Sequence, residues 1–483
     1  MKRAHFRNKG KFIGLLLIIY AFVSCAVNPV TGKRELMLLS EADEIKLGQQ
    51  SDPEIIKMYG LYDNPALSQY ITKLGTRMAK ISHRPNLQYQ FRLLDTPVIN
   101  AFAVPGGYVY ITRGILAYLN NEAELAGVMG HEIGHIAARH SAKQYSKAQL
   151  AQVGLGLGTI LSRDFARFAG IAQTGMALLF LKFSRDAERQ ADQLGVEYST
   201  KVGYDAREMA NFFETLERMQ PSEGGGLPGW LSTHPNPADR VVAVRKLAAE
   251  WRQKVGNTQF KVNRNSYLKR LEGLVFGDDP RQGYVENNTF YHPELTFRFP
   301  VPAGWKVQNT PSQVQMISRK EDAAILFTLS SQASPAGAAN SFVSESKARV
   351  IEATAVKVNG LNARRMISDI TTRQDVLRVL SYFIQYGGNV YEFHGYSSQN
   401  DFASHKAVLE QTMSGFRKLT NPAKINVKPN RVHIKTVSRT TTVRNALKSF
   451  HVADDKLEAI ALLNGLHLTD KVRQNTLLKV IGK

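Results

Sequence analysis

The sequence predicts an α+β protein with three folded regions, and three observations indicate this. Apolar residues recur at helical spacing through most of residues 25–275, with only a short strand-like stretch among them. Residues 284–420 instead alternate apolar and polar residues in short runs, as antiparallel strands do. Residues 422–483 read strand, helix, helix, strand, and carry 12 Lys and Arg against 4 Asp and Glu. We therefore expect a mainly helical domain with a small sheet, an antiparallel α+β domain and a small basic module.

Composition limits the chemistry open to the chain. Hydrophobic residues make up 43% and charged residues 21% of the 483 residues, as in folded, water-soluble proteins. The formal net charge is +21, which favours contact with anionic surfaces such as lipid headgroups, acidic cell-wall polymers or nucleic acid, and does not choose among them. Cys25 is the only cysteine. If its thiol is modified, disulfides and cysteine-ligated metals are both excluded, and a metal site must use His, Asp and Glu.

The N-terminus has the pattern of an export signal. Five basic residues in the first eleven precede the apolar run Phe12–Val23, which at 12 residues is shorter than the roughly 20 that span a bilayer. The following "FVSC" resembles a bacterial lipobox, with a signal peptide at residues 1–24 and Cys25 as the lipidated first residue. The residue after the cysteine is Ala26 rather than an aspartate. In this the chain resembles lipoproteins that are sent to the outer membrane rather than kept at the inner one. A plain signal peptide or an uncleaved anchor is the alternative.

The elements of the first region are predicted in order. Residues 25–40 are expected to form a tether, and Ser40 followed by Asp43 predicts a capped helix start. "YQFRLLD" alternates as a strand, and the apolar runs on either side of Pro105-Gly106-Gly107 predict a hairpin. A second helix has one apolar face, formed by Leu67, Tyr70, Ile71, Leu74 and Met78. Further helices are predicted at 122–140, 142–183 (a pair), 184–203, 205–219 and 238–254.

The chemistry is concentrated in "VMGHEIGHIAARH", which starts at Val128. On a helix His131 and His135 lie nearly above one another, so both can reach one ion, and Glu132 sits one step round, where it can hold a water molecule. The helix is otherwise apolar and small-sided, a setting that ionisable groups enter only when paired or metal-bound. We therefore interpret HExxH as a zinc site rather than as two histidines buried on one helical face.

A hydrolytic zinc site needs a third protein ligand and an open fourth position. No histidine follows at HExxHxxGxxH spacing, where the chain has Ser141. Glu188 and Asp192 lie four residues apart in "FSRDAERQAD", where one carboxylate can bind metal and the other can accept the free N–H of a ligand histidine. The alternative on spacing alone is a solvated, charged helix face. His140, about 140° round a continuous helix from His135, is predicted to be structural.

Four motifs in order resemble one known family. They are "NAFAVPGGYVYITRGIL" before the HExxH helix, HExxH itself, "SRDAERQAD" some fifty residues later, and then "STHPNPADR". Together they resemble the CAAX prenyl protease / HtpX family of zinc metallopeptidases. The opening "CAVNPVTGKRELMLLSEADEIKLG" resembles its periplasmic lipoprotein branch, which includes BepA and LoiP. The likeness covers roughly residues 25–250, and this chain lacks the helical-repeat C-terminus that BepA carries.

The resemblance implies a zincin-like (gluzincin) fold, one zinc ion per chain and endopeptidase activity. With His131 and His135 as zinc ligands, it assigns Glu188 as the third and Asp192 as the partner that orients a ligand. Glu132 is then the base that takes the proton of the attacking water. The expected substrates are misfolded or misassembled periplasmic and outer-membrane proteins, in quality control of the bacterial cell envelope. The alternative is an envelope assembly factor or chaperone with a latent peptidase site.

Further assignments concern the substrate side of the site. His234, in the Gly- and Pro-rich loop 221–240, is predicted either to stabilise the oxyanion or to occupy the open zinc position and hold the enzyme latent. An ordinary loop histidine is the alternative. Arg240 is predicted to anchor this loop through a carboxylate. An extended substrate is predicted to pair with an edge strand. That strand consists of Asn100, Ala101, Phe102 and Ala103.

The C-terminal regions carry no catalytic signature that the sequence reveals. Helices are expected on one face of the sheet in residues 284–420. Residues 422–483 resemble a LysM module, a peptidoglycan-binding fold, but lack its usual glycine-aspartate turn, so a docking module is the alternative. Expected partners are protein substrates, a membrane through the lipid on Cys25, and peptidoglycan or the outer-membrane assembly machinery. A nucleic-acid partner is not expected for an exported, periplasm-facing lipoprotein.

Overall fold

A computed structural model describes most of the chain, and its described ranges are 25–154, 182–219, 229–234, 237–256, 259–372 and 375–483. The signal peptide predicted at 1–24, the side chain of Cys25 and most of the predicted helical pair at 142–183 lie outside the described residues. No helix in the described ranges combines the length and the apolar character needed to cross a membrane. The chain forms two compact units, and the first comprises residues up to 277, apart from 57–59, with 431–482.

The elements up to residue 277 place helices around a small sheet. In chain order they are β1 Cys25–Val27, β2 Arg34–Leu36, α1 Glu41–Tyr59, α2 Pro65–Ala79, β3 Gln90–Leu94, β4 Ala101–Val104, β5 Tyr108–Thr112, α3 Arg113–Tyr118, α4 Glu122–Ala137, α5 His140–Gly154, α6 Arg185–Lys201, α7 Glu208–Arg218, α8 Gly229–Thr233, α9 Pro237–Val255 and α10 Arg264–Arg270. The predicted capping box at the start of α1 is confirmed, since Ser40 and Asp43 bond each other's backbone N–H groups.

The small sheet has the strand order β3-β5-β4, so β4 lies at its edge. β3 runs parallel to β5, whereas β4 runs antiparallel to it through the tight turn at Pro105-Gly106-Gly107. The predicted hairpin is therefore confirmed. Gly106 and Gly107 both have positive φ, 87° and 99°, and a Cβ on Gly106 would lie 2.6 Å from the carbonyl oxygen of Glu44. Only glycine meets both conditions without strain.

Helix α4, which carries HExxH, is the centre of the first unit. All its residues from Ala123 to Ala137 are buried. Helix α6 crosses it at Gly130 and Gly195. A Cβ on Gly195 would lie 3.1 Å from the backbone nitrogen of His131, and a Cβ on Gly130 would lie 3.1 Å from Cα of Gly195. Glycine at both positions lets the two backbones meet, and this brings the first turns of α6 beside the histidines.

The helix predicted to run from 122 to 140 is interrupted, and this prediction is wrong. Helix α4 ends at Ala137, Arg139 has a positive φ of 58°, and α5 starts at His140. A buried ion-pair cluster holds the break in place. Nε of Arg139 lies 2.5 Å and Nη1 of Arg84 lies 2.7 Å from the carboxylate of Glu44. Since the break carries no Gly or Pro, local sequence signals did not indicate it.

Residues 25–40 do not form the free tether that the sequence predicts. Strands β1 and β2 pair as a hairpin. The Asn28 amide donates to the carbonyl of Ala138 at 3.3 Å, and the backbone N–H of Leu38 donates to the Ser146 hydroxyl at 2.8 Å. These long-range bonds fix the segment on the junction of α4 and α5, because each satisfies a polar group that the fold would otherwise leave without a partner.

The second unit comprises residues 278–430 with 57–59. Its elements are β6 Tyr284–Glu286, β7 Thr289–His292, β8 Phe297–Pro300, β9 Lys306–Thr310, β10 Gln313–Ile317, β11 Ala323–Leu329, α11 Pro335–Ser346, β12 Arg349–Val358, β13 Leu361–Thr371, β14 Val376–Tyr386, β15 Asn389–Ser398, α12 Phe402–Ser414, β16 Arg417–Lys418 and α13 Pro422–Ile425. A seven-stranded antiparallel sheet has the order β12-β13-β14-β15-β11-β10-β9, and a four-stranded sheet has the order β16-β8-β7-β6.

Helices cover both faces of the seven-stranded sheet, so the prediction of helices on one face is wrong. Helix α11 packs with Met366 and Phe383 on one face, whereas α12 packs with Leu380 and Phe393 on the other. The cause lies in β14, where the six consecutive residues 379–384 are all buried. A strand buried on both faces needs a layer on each side. Helices on one face alone would fit only a sheet whose other face is exposed to solvent.

Residues 431–482 belong to the first unit. Their elements are β17 Arg431–Thr436, β18 Thr441–Thr442, α14 Val443–Ser449, α15 Leu457–Leu463, β19 Lys471–Val472 and β20 Leu477–Gly482. The predicted order of strand, helix, helix and strand is confirmed, and β17 pairs antiparallel with β20. Apolar residues of this module share one core with the helices around HExxH. The LysM likeness itself stays a prediction.

Lys479 anchors the module beside the active-site helix. Its side chain is fully buried, and Nζ donates to the carbonyls of Ala117 at 2.6 Å and Leu119 at 2.9 Å. These carbonyls end α3, the helix that precedes α4. Burial lowers the pKa of Lys479 well below its ordinary value. The module is therefore an integral part of the first unit.

We predict that Lys479→Met lowers the midpoint of thermal unfolding. The substitution leaves two buried carbonyls without a donor, which costs about 1–3 kcal/mol for each group. The control is Lys435→Met, which removes an exposed lysine from β17 of the same module. Calorimetry of both variants checks the prediction, and equal midpoints for the two variants would contradict it.

Candidate metal centre

Four buried side chains place ligand atoms within 4.8 Å of one another. His131 and His135 come from α4, Glu188 from the first turn of α6, and His234 from the residue after α8. Each residue is at most 2% exposed. Ionisable groups persist at such burial only when they are paired or bound to a metal. The structure therefore brings the three ligands expected from the sequence together with His234.

Asp192 determines which nitrogen of His131 faces the centre. Its Oδ1 lies 3.0 Å from Nδ1 of His131, and Arg240 donates to both carboxylate oxygens, at 2.7 and 2.6 Å. Burial opposes ionisation of Asp192, yet Arg240 and His131 together lower its pKa. The ionised carboxylate accepts the proton on Nδ1 of His131. The lone pair on Nε2 is then directed at the other ligand atoms.

His140 and Gln190 determine which nitrogen of His135 faces the centre. Nε2 of His140 lies 2.9 Å from Oε1 of Gln190, and Nδ1 of His140 lies 3.0 Å from Nδ1 of His135. Burial lowers the pKa of His140 to about 4, so its ring is neutral. With its proton on Nε2, His140 accepts from Nδ1 of His135. The lone pair on Nε2 of His135 therefore also faces the centre.

These lone pairs provide a test of whether a metal ion fits. Nε2 of His131 lies 3.0 Å from Nε2 of His135. Two unprotonated nitrogens repel each other at this distance unless a cation lies between them. In a tetrahedral zinc site with bonds of about 2.0–2.1 Å, ligand atoms lie about 3.3 Å apart. The donor set of imidazoles and one carboxylate therefore fits zinc.

Glu188 completes the donor set. Its Oε1 lies 2.9 Å from Nδ1 of His234 and 3.5 Å from Nε2 of His135, while Oε2 lies 3.1 Å from Nη1 of Arg240. Burial raises its pKa, but His234, His131 and Arg240 outweigh this and lower the pKa below the ordinary value. Glu188 is therefore a carboxylate, as a metal ligand must be.

Glu132 lies beside the donor set without joining it. Its carboxylate oxygens are buried, and neither accepts a hydrogen bond of normal geometry from any described residue. Burial raises the pKa of Glu132 to about 7. A carboxyl group with this pKa takes up and releases a proton near neutral pH, as a general base should. Its unused acceptor positions are available to a water molecule.

His234 is held with its Nδ1 among the ligand atoms. Nε2 lies on the opposite side of the ring, 3.7 Å from Oε1 of Glu132. The ring stacks on Trp230 with centroids 4.7 Å apart. Burial lowers the pKa of His234, but the carboxylates of Glu188 and Glu132 outweigh this and raise it above the ordinary value.

Trp230 and Arg240 fix the segment that carries His234. The guanidinium of Arg240 lies 4.3 Å from the ring centroid of Phe213 and 4.6 Å from that of Trp230. The backbone N–H of Trp230 donates to the carbonyl of Ile99 at 2.9 Å. Arg240 thus contacts the segment by stacking on Trp230, and its ion pairs go to Asp192 and Glu188 on α6. The sequence predicted a carboxylate anchor but not this aromatic contact.

The predicted substrate strand lies next to the centre. Asn100 directly precedes β4, which starts at Ala101 and contains Phe102 and Ala103. β4 packs against α4 and pairs only with β5 among the described strands. Its second edge is open to an additional strand. Use of this edge by a substrate stays a prediction.

Sequence reasoning missed His140, Gln190 and Trp230. His140 was placed on the wrong side of α4, because the 140° rotation assumed a continuous helix and the chain breaks at Arg139. The sequence gives no signal for Gln190, because its role depends on how α5 meets α6. Trp230, in the middle of the Gly- and Pro-rich loop 221–240, has no spacing that predicts its role.

Fold and site together define a class of protein. Two histidines of HExxH on one helix, a carboxylate on a second helix and a buried glutamate beside them are the parts of an HExxH metallohydrolase. The sequence profile of peptidase family M48 matches residues 65–248. The chain is 30% identical to the mitochondrial metalloendopeptidase OMA1 of Schizosaccharomyces pombe over 246 residues, which are 48% of this chain and 68% of that one. The chain therefore belongs to peptidase family M48, and its M48 domain is that of a zinc metalloendopeptidase.

Bacterial relatives are similar over the same region. The chain is 32% identical to the beta-barrel assembly-enhancing protease of Escherichia coli over 226 residues, which are 45% of this chain and 46% of that one. It thus spans about half the length of this curated relative. Among solved structures, cyanobacterial PsbP from Synechocystis shares 14% identity and covers 27% of this chain and 91% of its own, with a TM-score of 0.24. A score this low supports no conclusion about either unit.

We predict that Asp192→Asn weakens zinc binding by about 10- to 100-fold, the usual effect of losing a carboxylate that orients a ligand histidine. The control is Asp186→Asn on the same helix, where the aspartate side chain is 87% exposed. Competition with a zinc chelator measures both affinities. Equal affinity in the two variants would show that Asp192 does not orient His131.

Proposed function

We propose that this protein is a zinc-dependent endopeptidase of the bacterial cell envelope, which hydrolyses peptide bonds in misfolded or misassembled periplasmic and outer-membrane proteins. The observation that carries the proposal is the convergence of His131, His135 and Glu188 on one point beside the buried carboxylate of Glu132, which accepts no hydrogen bond of normal geometry from any described residue. The bacterial relatives, which are named as proteases that enhance β-barrel assembly, support the envelope setting.

The proposed mechanism uses the chain's own residues around one zinc ion. His131, His135 and Glu188 would hold the ion, which would supply the Lewis acidity that polarises a peptide carbonyl and lowers the pKa of water. Glu132 takes a proton from the attacking water and passes it to the leaving amine. Asp192 and His140 keep the ligand nitrogens in the required protonation state. Burial of the whole set strengthens each of these electrostatic contacts.

We propose that β4 receives the substrate. An extended chain that pairs with the open edge of Ala101–Ala103 would run alongside α4, since β4 packs on that helix. The carbonyl of Ile99, just before this edge, already accepts a hydrogen bond from Trp230. Helix α8 therefore contacts the beginning of the proposed substrate path.

This contact favours a latch over an oxyanion role for His234. A residue that stabilises an oxyanion should direct a donor at the substrate. His234 instead places Nδ1 2.9 Å from Glu188 and 3.2 Å from Nε2 of His131, within the donor set. We infer that the described arrangement is latent, with His234 at the fourth ligand position, and that substrate access requires α8 to leave Ile99.

A lipid anchor on Cys25 remains part of the proposal. The lipobox-like "FVSC" supports it, and the basic module with 12 Lys and Arg against 4 Asp and Glu in 422–483 would favour anionic envelope surfaces. The LysM likeness makes peptidoglycan the proposed ligand of that module. If Cys25→Ser leaves the protein in the membrane fraction of cells, the anchor is not at this residue.

We predict that Glu132→Gln abolishes casein digestion without loss of zinc. Removing a general base costs about 10²- to 10⁴-fold in rate, whereas the ligands are unchanged. Glu250→Gln, at an exposed position of α9, is the control. Zinc content and digestion rate are measured on the same preparations. If the Glu132→Gln gene restores a deletion phenotype as well as wild type does, the alternative role as an assembly factor or chaperone replaces the peptidase.

We predict that His234→Ala retains zinc and raises the rate of casein digestion severalfold, because it removes the fourth protein ligand and increases the population open to substrate. Ser232→Ala, at an exposed position of the same segment, should leave the rate unchanged. A loss of activity in His234→Ala would support the oxyanion role and reject the latch.

A further inference from the structure

The second unit contains a groove that the metal centre does not use. Helix α11 forms one wall, β12 forms the other and β13 forms the floor, around a volume of about 260 Å³. Its lining includes Val343, Ser344, Val350, Ala353, Arg364 and Met366. Helix α11 leads into β12 through Lys347, whose φ is 54°. A helix that borders an edge strand in this way is the geometry of a groove that binds extended peptides.

Strand β12 leaves one edge of its backbone open. It is the terminal strand of the seven-stranded sheet and, among the described strands, pairs only with β13. Its 10 residues span about 33 Å. Most are exposed, including Val350 at 43% and Ile351 at 47%. Backbone N–H and C=O groups along such an edge can receive a further strand.

The register places the groove beside this open edge. Ala353 pairs with Met366, and Ala355 pairs with Arg364. Met366 is covered by α11, which packs over it together with Phe383. A strand added to β12 would direct alternate side chains to this same face of the sheet. One of these side chains would enter the apolar part of the groove.

Arg364 gives the groove a charge preference. Its guanidinium makes no ion pair and no hydrogen bond with any residue in the described part of the chain. The neighbouring Arg365 pairs instead with Glu410 and Glu352, and Arg378 on the next strand pairs with Asp369. A guanidinium with five free donors is best satisfied by a carboxylate. The ligand should therefore carry an acidic group.

The edge is unsuited to pairing with a second copy of the sheet over its full length. A bulge interrupts the register between Val350 and Glu352. The exposed cations Arg349 and Lys357 lie near its two ends. Bulges and charges are the usual protection of an edge against flat sheet-to-sheet association. Residues 353–358 keep a regular register, which is enough for a short strand.

We propose that this groove binds a segment of another protein in extended conformation. The segment adds to β12 as a further strand, places one apolar side chain beside Val343 and Met366, and pairs a carboxylate with Arg364. Non-native envelope proteins expose such segments. The unit would thus hold a client independently of the zinc site, and the proposal does not require the peptidase activity.

The test uses the full chain with Glu132→Gln, so that no probe is cleaved. The probe is a fluorescein-labelled octapeptide of alternating valine and polar residues that includes two glutamates, and fluorescence anisotropy measures its binding. A second peptide has two of its residues replaced by proline, which cannot pair along the edge. A third has lysine in place of both glutamates. Binding is expected only for the first peptide, with a dissociation constant below about 1 mM.

Two variants with matched controls locate the binding. Arg364→Glu should weaken binding about tenfold or more, since it replaces an attractive pair by a repulsive one. Lys406→Glu makes the same charge change at an exposed position of α12, which packs on the other face of the sheet, and should have little effect. Ser344→Trp fills the groove from an exposed position of α11, whereas Ala336→Trp adds the same ring elsewhere on that helix.

Several results would overturn the proposal. Binding of the first peptide that is unchanged in Arg364→Glu and Ser344→Trp would place the site elsewhere. If the proline peptide binds as well as the first peptide, strand addition is excluded. If the first peptide does not bind at concentrations up to 1 mM, acidic peptides in extended conformation are excluded as ligands. Self-association of the protein that is lost in Ser344→Trp, without peptide binding, would show that a second copy occupies the groove. The proposal is supported if Arg364→Glu and Ser344→Trp lose binding of the first peptide while their control variants keep it.

Discussion

The crossing of α4 and α6 at Gly130 and Gly195 is the constraint on which the metal centre depends. A Cβ at either position would lie only 3.1 Å from the backbone of the facing helix, and this close contact sets the distance between HExxH and the first turns of α6. Asp192 and Glu188 lie one and two turns before Gly195 on that helix, so both reach His131. A wider crossing would move the carboxylates away together. The glycines therefore act on the chemistry through helix packing, although neither touches a ligand atom.

Around this crossing, each ligand histidine is oriented by a pair of groups. Asp192 and Arg240 hold His131, and His140 with Gln190 holds His135. The first pair is ionic and the second is neutral, which limits the number of buried charges. Burying an ion pair is costly unless its remaining hydrogen-bond positions are also filled. Arg240 meets part of this condition, since Nε and Nη2 donate to both oxygens of Asp192 and the guanidinium stacks on Phe213 and Trp230. Its buried Nη1 lies 3.1 Å from Oε2 of Glu188 without a hydrogen bond of normal geometry.

The sequence predicted the parts of the site that depend on spacing within one element. HExxH and the hairpin before α4 follow from helical and strand periodicity. The roles of Glu188 and Asp192 rest on the family resemblance, because spacing alone also fits a solvated, charged helix face. Features that depend on the meeting of distant segments were not predictable in this way. The break at Arg139 depends on Glu44 and Arg84 from elsewhere in the chain. The role of His140 follows from that break, so it was also missed.

The C-terminal module shows the same limit on a larger scale. Its order of strand, helix, helix and strand is visible in the periodicity of residues 422–483. Its integration into the first unit rests on a shared apolar core and on one buried lysine, Lys479, which bonds carbonyls more than 350 residues away in the chain. Composition indicated a basic surface module, since Lys479 counts there as one of 12 basic residues. Only the packing shows that this residue lies inside the protein.

The most direct test of this account is anomalous diffraction at the zinc absorption edge from crystals of the full chain with Glu132→Gln. The account predicts one strong peak per chain, within bonding distance of Nε2 of His131, Nε2 of His135, a carboxylate oxygen of Glu188 and Nδ1 of His234. A chain without such a peak after zinc loading, or with its peak at other residues, would contradict the metal centre. A peak at the first three ligands with His234 turned away would retain the centre and reject the latch.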